Sequence, residues 1–140
     1  MPGPYDALLF DLYGTLVGED GEAQDGAAEA LRSVAAAPYA VVTSCPLRIA
    51  RRLLQLADLP EPRVLVTAED VTHGKPAPDC YLLAAERLGV GPERCLVLED
   101  TEHGVAAARA AGMDVIAVGR DRVLADIKFE IQKDGAIAVR

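Results

Sequence analysis

Five short, nearly uninterrupted apolar runs, each separated from the next by a longer stretch, constrain this chain most. They are Ala7 to Asp11, Tyr39 to Ser44, Arg63 to Ala68, Arg94 to Asp100 and Met113 to Gly119. A strand with one wet face alternates apolar and polar residues, so continuous runs of Val, Leu and Ala belong to strands covered on both faces. The stretches between them read as helices. Gly26 to Ala37 is Ala-rich and stopped by Pro38, and Pro46 to Ala57 opens on a proline suited to a first helical turn. Asp79 to Leu88 and Glu102 to Ala111 each run into a glycine, Gly89 and Gly112, fit for a left-handed cap. Alternation of this kind calls for right-handed crossovers. It predicts an α/β fold, a three-layer, doubly wound (Rossmann-like) parallel sheet of about five strands.

The tail differs. IKFEI and AIAV alternate around Lys133-Asp134-Gly135, which predicts a C-terminal β-hairpin, expected to close one edge of the sheet. The 140 residues suit one domain, taken as 1–140, and a hydrophobic share of 51% supplies its interior. A net charge of -8 argues against broad binding to nucleic acid or to an anionic membrane, and no apolar run reaches membrane-spanning length. The three cysteines, Cys45, Cys80 and Cys95, form no C-x-x-C pair, so neither a disulfide framework nor a zinc site is indicated. Free thiols and the absence of a basic-then-apolar leader place the expected location in the cytoplasm.

Doubly wound sheets bind ligands beyond the carboxyl ends of their strands. At those ends lie Asp11 with Gly14 and Thr15, Thr43-Ser44, Lys75 in the loop after the third strand, and Glu99-Asp100. Singly, each has an ordinary use as a turn, cap or solvated residue. Together they bring a carboxylate nucleophile, a hydroxyl, a fixed cation and an acidic pair to one crevice. Carboxylate and carbonyl oxygens suit Mg²⁺, a cation screens a phosphate dianion from an attacking carboxylate, and turn N–H groups hold phosphate oxygens.

FDLYGTLV at 10–17, VVTS at 41–44, HGKPAPDCY at 73–81 and LVLEDTEHGVAAARAAGM at 96–113 resemble, in this order, the haloacid dehalogenase (HAD) superfamily. Residues 59–118 are similar to its sugar- and polyol-phosphate phosphatases. The resemblance implies a Mg²⁺-dependent phosphomonoesterase acting on a small phosphorylated metabolite through an aspartyl-phosphate. Asp11 would be nucleophile and metal ligand, Thr43 the phosphate-binding hydroxyl and Lys75 the charge clamp. Gly14, Thr15 and Ser44 would line the phosphate site. Asp100 and the Tyr13 carbonyl would bind the metal, with Glu99 assisting directly or through water.

Two departures qualify the resemblance. Tyr13 stands where the family's phosphatases carry an acid–base Asp, and phenols are much weaker acids than carboxylic acids. Loss of such a group typically slows reaction by roughly 10²–10⁴-fold, so turnover is expected to be slow. The same D-x-Y-G-T-L pattern occurs in 2-haloacid dehalogenases, whose leaving halide needs no proton. A dehalogenase and an inactive phosphate- and metal-binding module are therefore the alternatives. Second, only Gly18 to Pro38 occupies the place where related phosphatases insert a helical cap, so a capless core is expected, with a homo-oligomer as one way to cover the site. Arg48, Arg51 and Arg52 share a helix face near Thr43. His73 and His103 flank the site without partners at metal-ligand spacing.

Overall fold

The computed structural model describes residues 3–140. The chain runs β1 (Ala7–Phe10), α1 (Ala27–Ser33), β2 (Tyr39–Val42), α2 (Leu47–Leu56), β3 (Val64–Val66), α3 (Asp79–Leu88), β4 (Cys95–Glu99), α4 (Glu102–Ala110), β5 (Asp114–Ala117), β6 (Phe129–Ile131) and β7 (Ile137–Val139). β1 to β5 form one parallel sheet in the order β3-β2-β1-β4-β5. The strand carrying Asp11 at its end is therefore central, and the order reverses beside it, where an open α/β sheet forms its ligand crevice.

Side chains alternate across the sheet with period two. Leu8, Phe10, Val41 and Leu98 join the core layer beneath α1, α2 and the hairpin, whereas Ala7, Leu9, Val42 and Val97 pack with α3 and α4. Both layers are closed, which explains runs without polar alternation. Small residues allow the close approach: α3 and α4 meet the sheet through Ala84, Ala85, Ala107 and Ala108.

The elements are shorter than the sequence predicts, for local reasons. α1 stops at Ser33, and Ala35 and Ala37 instead close tight turns through Ala35 N–H to Arg32 O and Ala37 N–H to Val34 O. Pro38 follows directly and disfavours helical geometry in the residue before it. β3 stops at Val66 because Thr67 and Asp70 form a reciprocal capping box around a single 3₁₀ turn, Ala68–Asp70. The start of α1 needs a glycine, since a Cβ on Gly26 would lie 2.5 Å from Ala125 Cα.

The hairpin forms but does not close an edge. β6 and β7 pair with each other in a separate two-stranded sheet. Ile137 exchanges backbone hydrogen bonds with Tyr5, just before β1, at 2.9 and 2.7 Å. Phe129 meets Phe10 edge-on, with ring centroids 6.1 Å apart. Phe129 and Ile137 are buried in the same core layer as Phe10 and the α1 residues Ala27, Ala30 and Leu31, so the hairpin extends the cover that the seven-residue α1 begins.

Candidate active site

The site follows from strand register. Phe10 lies beside Leu98, and Asp11 N–H donates to Leu98 O at 3.0 Å, so Asp11 and Glu99 leave the sheet side by side. By the alternation of side chains both point toward the layer holding α3 and α4. Two carboxylates this close and this buried (6% and 0% exposed) need a cation between them. Lys75 supplies it. Its Nζ donates to Asp11 Oδ1 at 2.7 Å, to Glu99 Oε2 at 2.8 Å and to Val42 O at 3.2 Å, which engages all three ammonium protons.

Glu99 is filled from every side. Oε2 accepts from Lys75 and from the buried Tyr81 hydroxyl at 2.6 Å. Oε1 accepts from Asp100 N–H at 3.0 Å and from Thr101 N–H and Oγ1 at 3.3 Å. Helix α4 begins beside it, with Thr101 as the N-cap accepting from Gly104 N–H at 3.0 Å. Gly104 has no room for a side chain, since a Cβ there would sit 1.9 Å from Glu99 Cδ.

Asp100 completes the acidic group. One carboxylate oxygen each from Asp11, Glu99 and Asp100 fall within 4.8 Å of one another. Thr15 Oγ1 bridges two of them, 3.0 Å from Asp100 Oδ1 and 3.3 Å from Asp11 Oδ2. Gly14 takes φ 91° and passes so close that a Cβ would lie 2.1 Å from Asp100 Oδ2. The turn is held by Thr15, Leu16 and Val17 N–H groups on Leu12 O and by Gly14 N–H on Val17 O, whereas no backbone N–H among the described residues donates to the Tyr13 carbonyl.

The electrostatics match this crowding. Burial raises the pKa of the Asp11 carboxyl; Lys75 opposes the rise, and Glu99 and the Asp100 contact reinforce it. Burial also works against the charged form of Lys75, yet Asp11 and Glu99 together hold the ammonium above its ordinary range. For Glu99 burial is outweighed by Lys75 and the surrounding hydrogen bonds, which keep the carboxyl below its ordinary range.

The remaining predicted residues lie around this centre. Thr43 is buried at the end of β2, next to Val42, with Oγ1 accepting from Cys45 N–H at 3.1 Å; Ser44 is exposed. The Tyr13 side chain is 46% exposed, and its phenol has no hydrogen-bond partner among the described residues. Arg51 turns away to Glu61 at 3.0 Å, while Arg48 and Arg52 remain exposed on α2. His73 pairs with Asp79 at 3.3 Å outside the buried network, and His103 is exposed. The three cysteines are free thiols, Cys80 and Cys95 buried and Cys45 half-buried. On the other flank, Gly14 and Thr15 open onto a cavity of about 400 Å³ whose wall includes Asp20, Glu22 and Asp25. Between β1 and β2 the chain forms one seven-residue helix and loops.

The haloacid dehalogenase-like hydrolase family matches residues 18–112, most of this chain. The chain belongs to that family. Hexitol phosphatase A of Escherichia coli is 52% identical over 81 residues, covering 58% of this chain and 38% of that protein. Fructose-1-phosphate phosphatase YqaB of Escherichia coli is 48% identical over 82 residues, covering 58% and 44%. This HAD-like chain thus spans less than half the length of these curated relatives. A HAD family hydrolase from Deinococcus radiodurans R1, solved with bound phosphate and sodium, superposes with a TM-score of 0.71 at 26% identity over 80% of each chain. CbbY from Rhodobacter sphaeroides, in complex with phosphate, shares the fold at a TM-score of 0.71 and 20% identity, over 79% of this chain and 84% of its own.

Sequence reasoning did not single out Tyr81, Thr101 or Gly104. Tyr81 lies six residues past Lys75 in the first turn of α3, and Gly104 looks like an unfavourable residue in a helix. Only the three-dimensional approach to Glu99 gives them a role.

Proposed function

We propose that this HAD-like chain is a Mg²⁺-dependent phosphomonoesterase that works through an aspartyl-phosphate on Asp11. The observation that carries this reading is the buried Lys75 ammonium between Asp11 and Glu99, with Asp100 beside them at the carboxyl end of the central strand. The donor set suits a hard divalent cation: Asp11 and Asp100 offer carboxylate oxygens, and the Tyr13 carbonyl accepts no backbone hydrogen bond among the described residues. Both Glu99 oxygens are occupied by other donors, so Glu99 stands behind the ligands as their support. Mg²⁺ would neutralise phosphate charge and favour the ionised form of Asp11.

In the first step an Asp11 oxygen attacks phosphorus in line. The P–O bond to the substrate alkoxide breaks as the Asp11 O–P bond forms, and the alkoxide takes a proton from solvent because Tyr13 is a weak donor. In the second step water attacks phosphorus, releasing inorganic phosphate and the Asp11 carboxylate and giving its proton to solvent. Lys75 keeps Asp11 oriented, and Thr43, Ser44 and the Gly14-Thr15 turn line the phosphate position. The two phosphatase relatives point to sugar or polyol phosphates as the substrate class. The test is hydrolysis of p-nitrophenyl phosphate with Mg²⁺ and with EDTA, wild type beside Asp11→Asn. Mg²⁺-dependent turnover lost in Asp11→Asn is expected; equal rates in the two proteins would refute the reading.

Tyr13 favours a second reading, dehalogenation of a 2-haloacid by the same Asp11 carboxylate. It requires chloride release from 2-chloropropionate that is indifferent to EDTA, and no release removes it.

A further inference from the structure

Every hydrogen bond of the Lys75 ammonium is made inside the protein, so its position depends on what holds its partners. Asp11 is fixed by β1 and Val42 by β2. Glu99 ends β4 with Oε1 tied to Asp100 and Thr101, and Oε2, the oxygen that meets the ammonium, faces only two donors, Lys75 at 2.8 Å and Tyr81 at 2.6 Å. Tyr81 is fully buried in the α3 core layer, and its ring lies 5.2 Å from Lys75 Nζ, so hydroxyl and π-face act on the same pair. Gly104 also packs against Glu99, with no room for a Cβ, which would lie 1.9 Å from Glu99 Cδ.

We propose that Tyr81 is a positioning residue of the site, acting through Glu99 to hold Lys75 against Asp11. The phenol donates to an ionised carboxylate within the core, an arrangement stronger than an ordinary neutral hydrogen bond. With the hydroxyl gone, Glu99 Oε1 stays anchored by Asp100 and Thr101 but Oε2 keeps Lys75 as its sole donor, so the carboxylate can turn about that anchor and the ammonium loses a fixed seat. This role rests on the phosphatase reading only for its effect on turnover; the placement of Lys75 is a separate property.

The experiment combines both. Tyr81→Phe keeps the ring and removes only the hydroxyl. Its kcat for p-nitrophenyl phosphate is expected to fall roughly ten- to hundred-fold with KM little changed, the effect of losing one hydrogen bond to a charged group. In a Glu99→Gln background the same substitution should cause no further fall. The Lys75 ammonium signal in ¹H–¹⁵N spectra, assigned by its loss in Lys75→Met, should broaden or shift in Tyr81→Phe while the unfolding midpoint in urea shows a folded protein. An equal fall in both backgrounds, or an unchanged kcat and an unchanged ammonium signal, overturns the proposal. Should the wild type hydrolyse nothing, the phosphatase reading fails and the ammonium signal alone decides. In the wild type the Tyr81 hydroxyl proton must also be visible as a slowly exchanging resonance; its absence overturns the proposal without any variant.

Discussion

Lys75 Nζ stands 2.7 Å from Asp11 Oδ1, joining the loop after β3 to the end of β1 in a place where both side chains are 8% exposed. A buried pair of this kind stabilises little compared with an apolar pair, but breaking it leaves a charge without a partner. Lys75→Met would leave Asp11 and Glu99 facing each other. Unfolding in urea is expected to show a loss of roughly 3–5 kcal/mol, with phosphatase activity abolished. A variant as stable as the wild type would mean that the ammonium does not hold these carboxylates.

Gly104→Ala would place a methyl group 1.9 Å from Glu99 Cδ, so Glu99 must move. Alanine is the better helix former, yet destabilisation by roughly 1–3 kcal/mol is expected, as for an overpacked core. Activity should fall with it. Calorimetry and a p-nitrophenyl phosphate assay check both, and a stabilised, fully active variant would contradict the assigned contact.

Tyr13→Asp puts a carboxyl group where the phenol now faces solvent. Phosphatase turnover is expected to rise roughly 10²-fold or more, measured as kcat with Mg²⁺. No rise, with Mg²⁺ still bound by calorimetric titration, would favour a binding module over a slow enzyme.

The Tyr5 phenol is held well above its ordinary range by burial and by its hydrogen bond to Asp114 at 2.7 Å. A raised folded pKa contributes stability that is complete below the unfolded value and is lost as pH climbs above it. Denaturation midpoints should therefore drop above about pH 10 more steeply in the wild type than in Tyr5→Phe. Parallel curves for the two proteins would rule out this contribution.

Much of this was legible in the residues. Five unalternating runs give a sheet covered on both faces, and of the residues at their ends Asp11, Thr15, Lys75, Glu99 and Asp100 meet, whereas Thr43 bonds Cys45 N–H and Ser44 is exposed. Two kinds of information were not legible. The hairpin reads as two short strands, but whether it extends an edge or covers a face depends on how much of the sheet α1 leaves open, which no local pattern records. Likewise Glu99-Asp100 reads as an acidic pair; only the approach of Tyr81, Thr101 and Gly104 separates a supporting carboxylate from one that faces the crevice.

The most direct test of the central claim is whether the phosphoryl group passes through Asp11. The protein is mixed with Mg²⁺ and acetyl phosphate, quenched in acid and digested, and the peptide bearing Asp11 is weighed by mass spectrometry. A mass gain of one phosphoryl group at Asp11, absent with EDTA and absent in Asp11→Asn, is the predicted result. Phosphate release that proceeds with Asp11 unmodified, or that persists in Asp11→Asn, would contradict it.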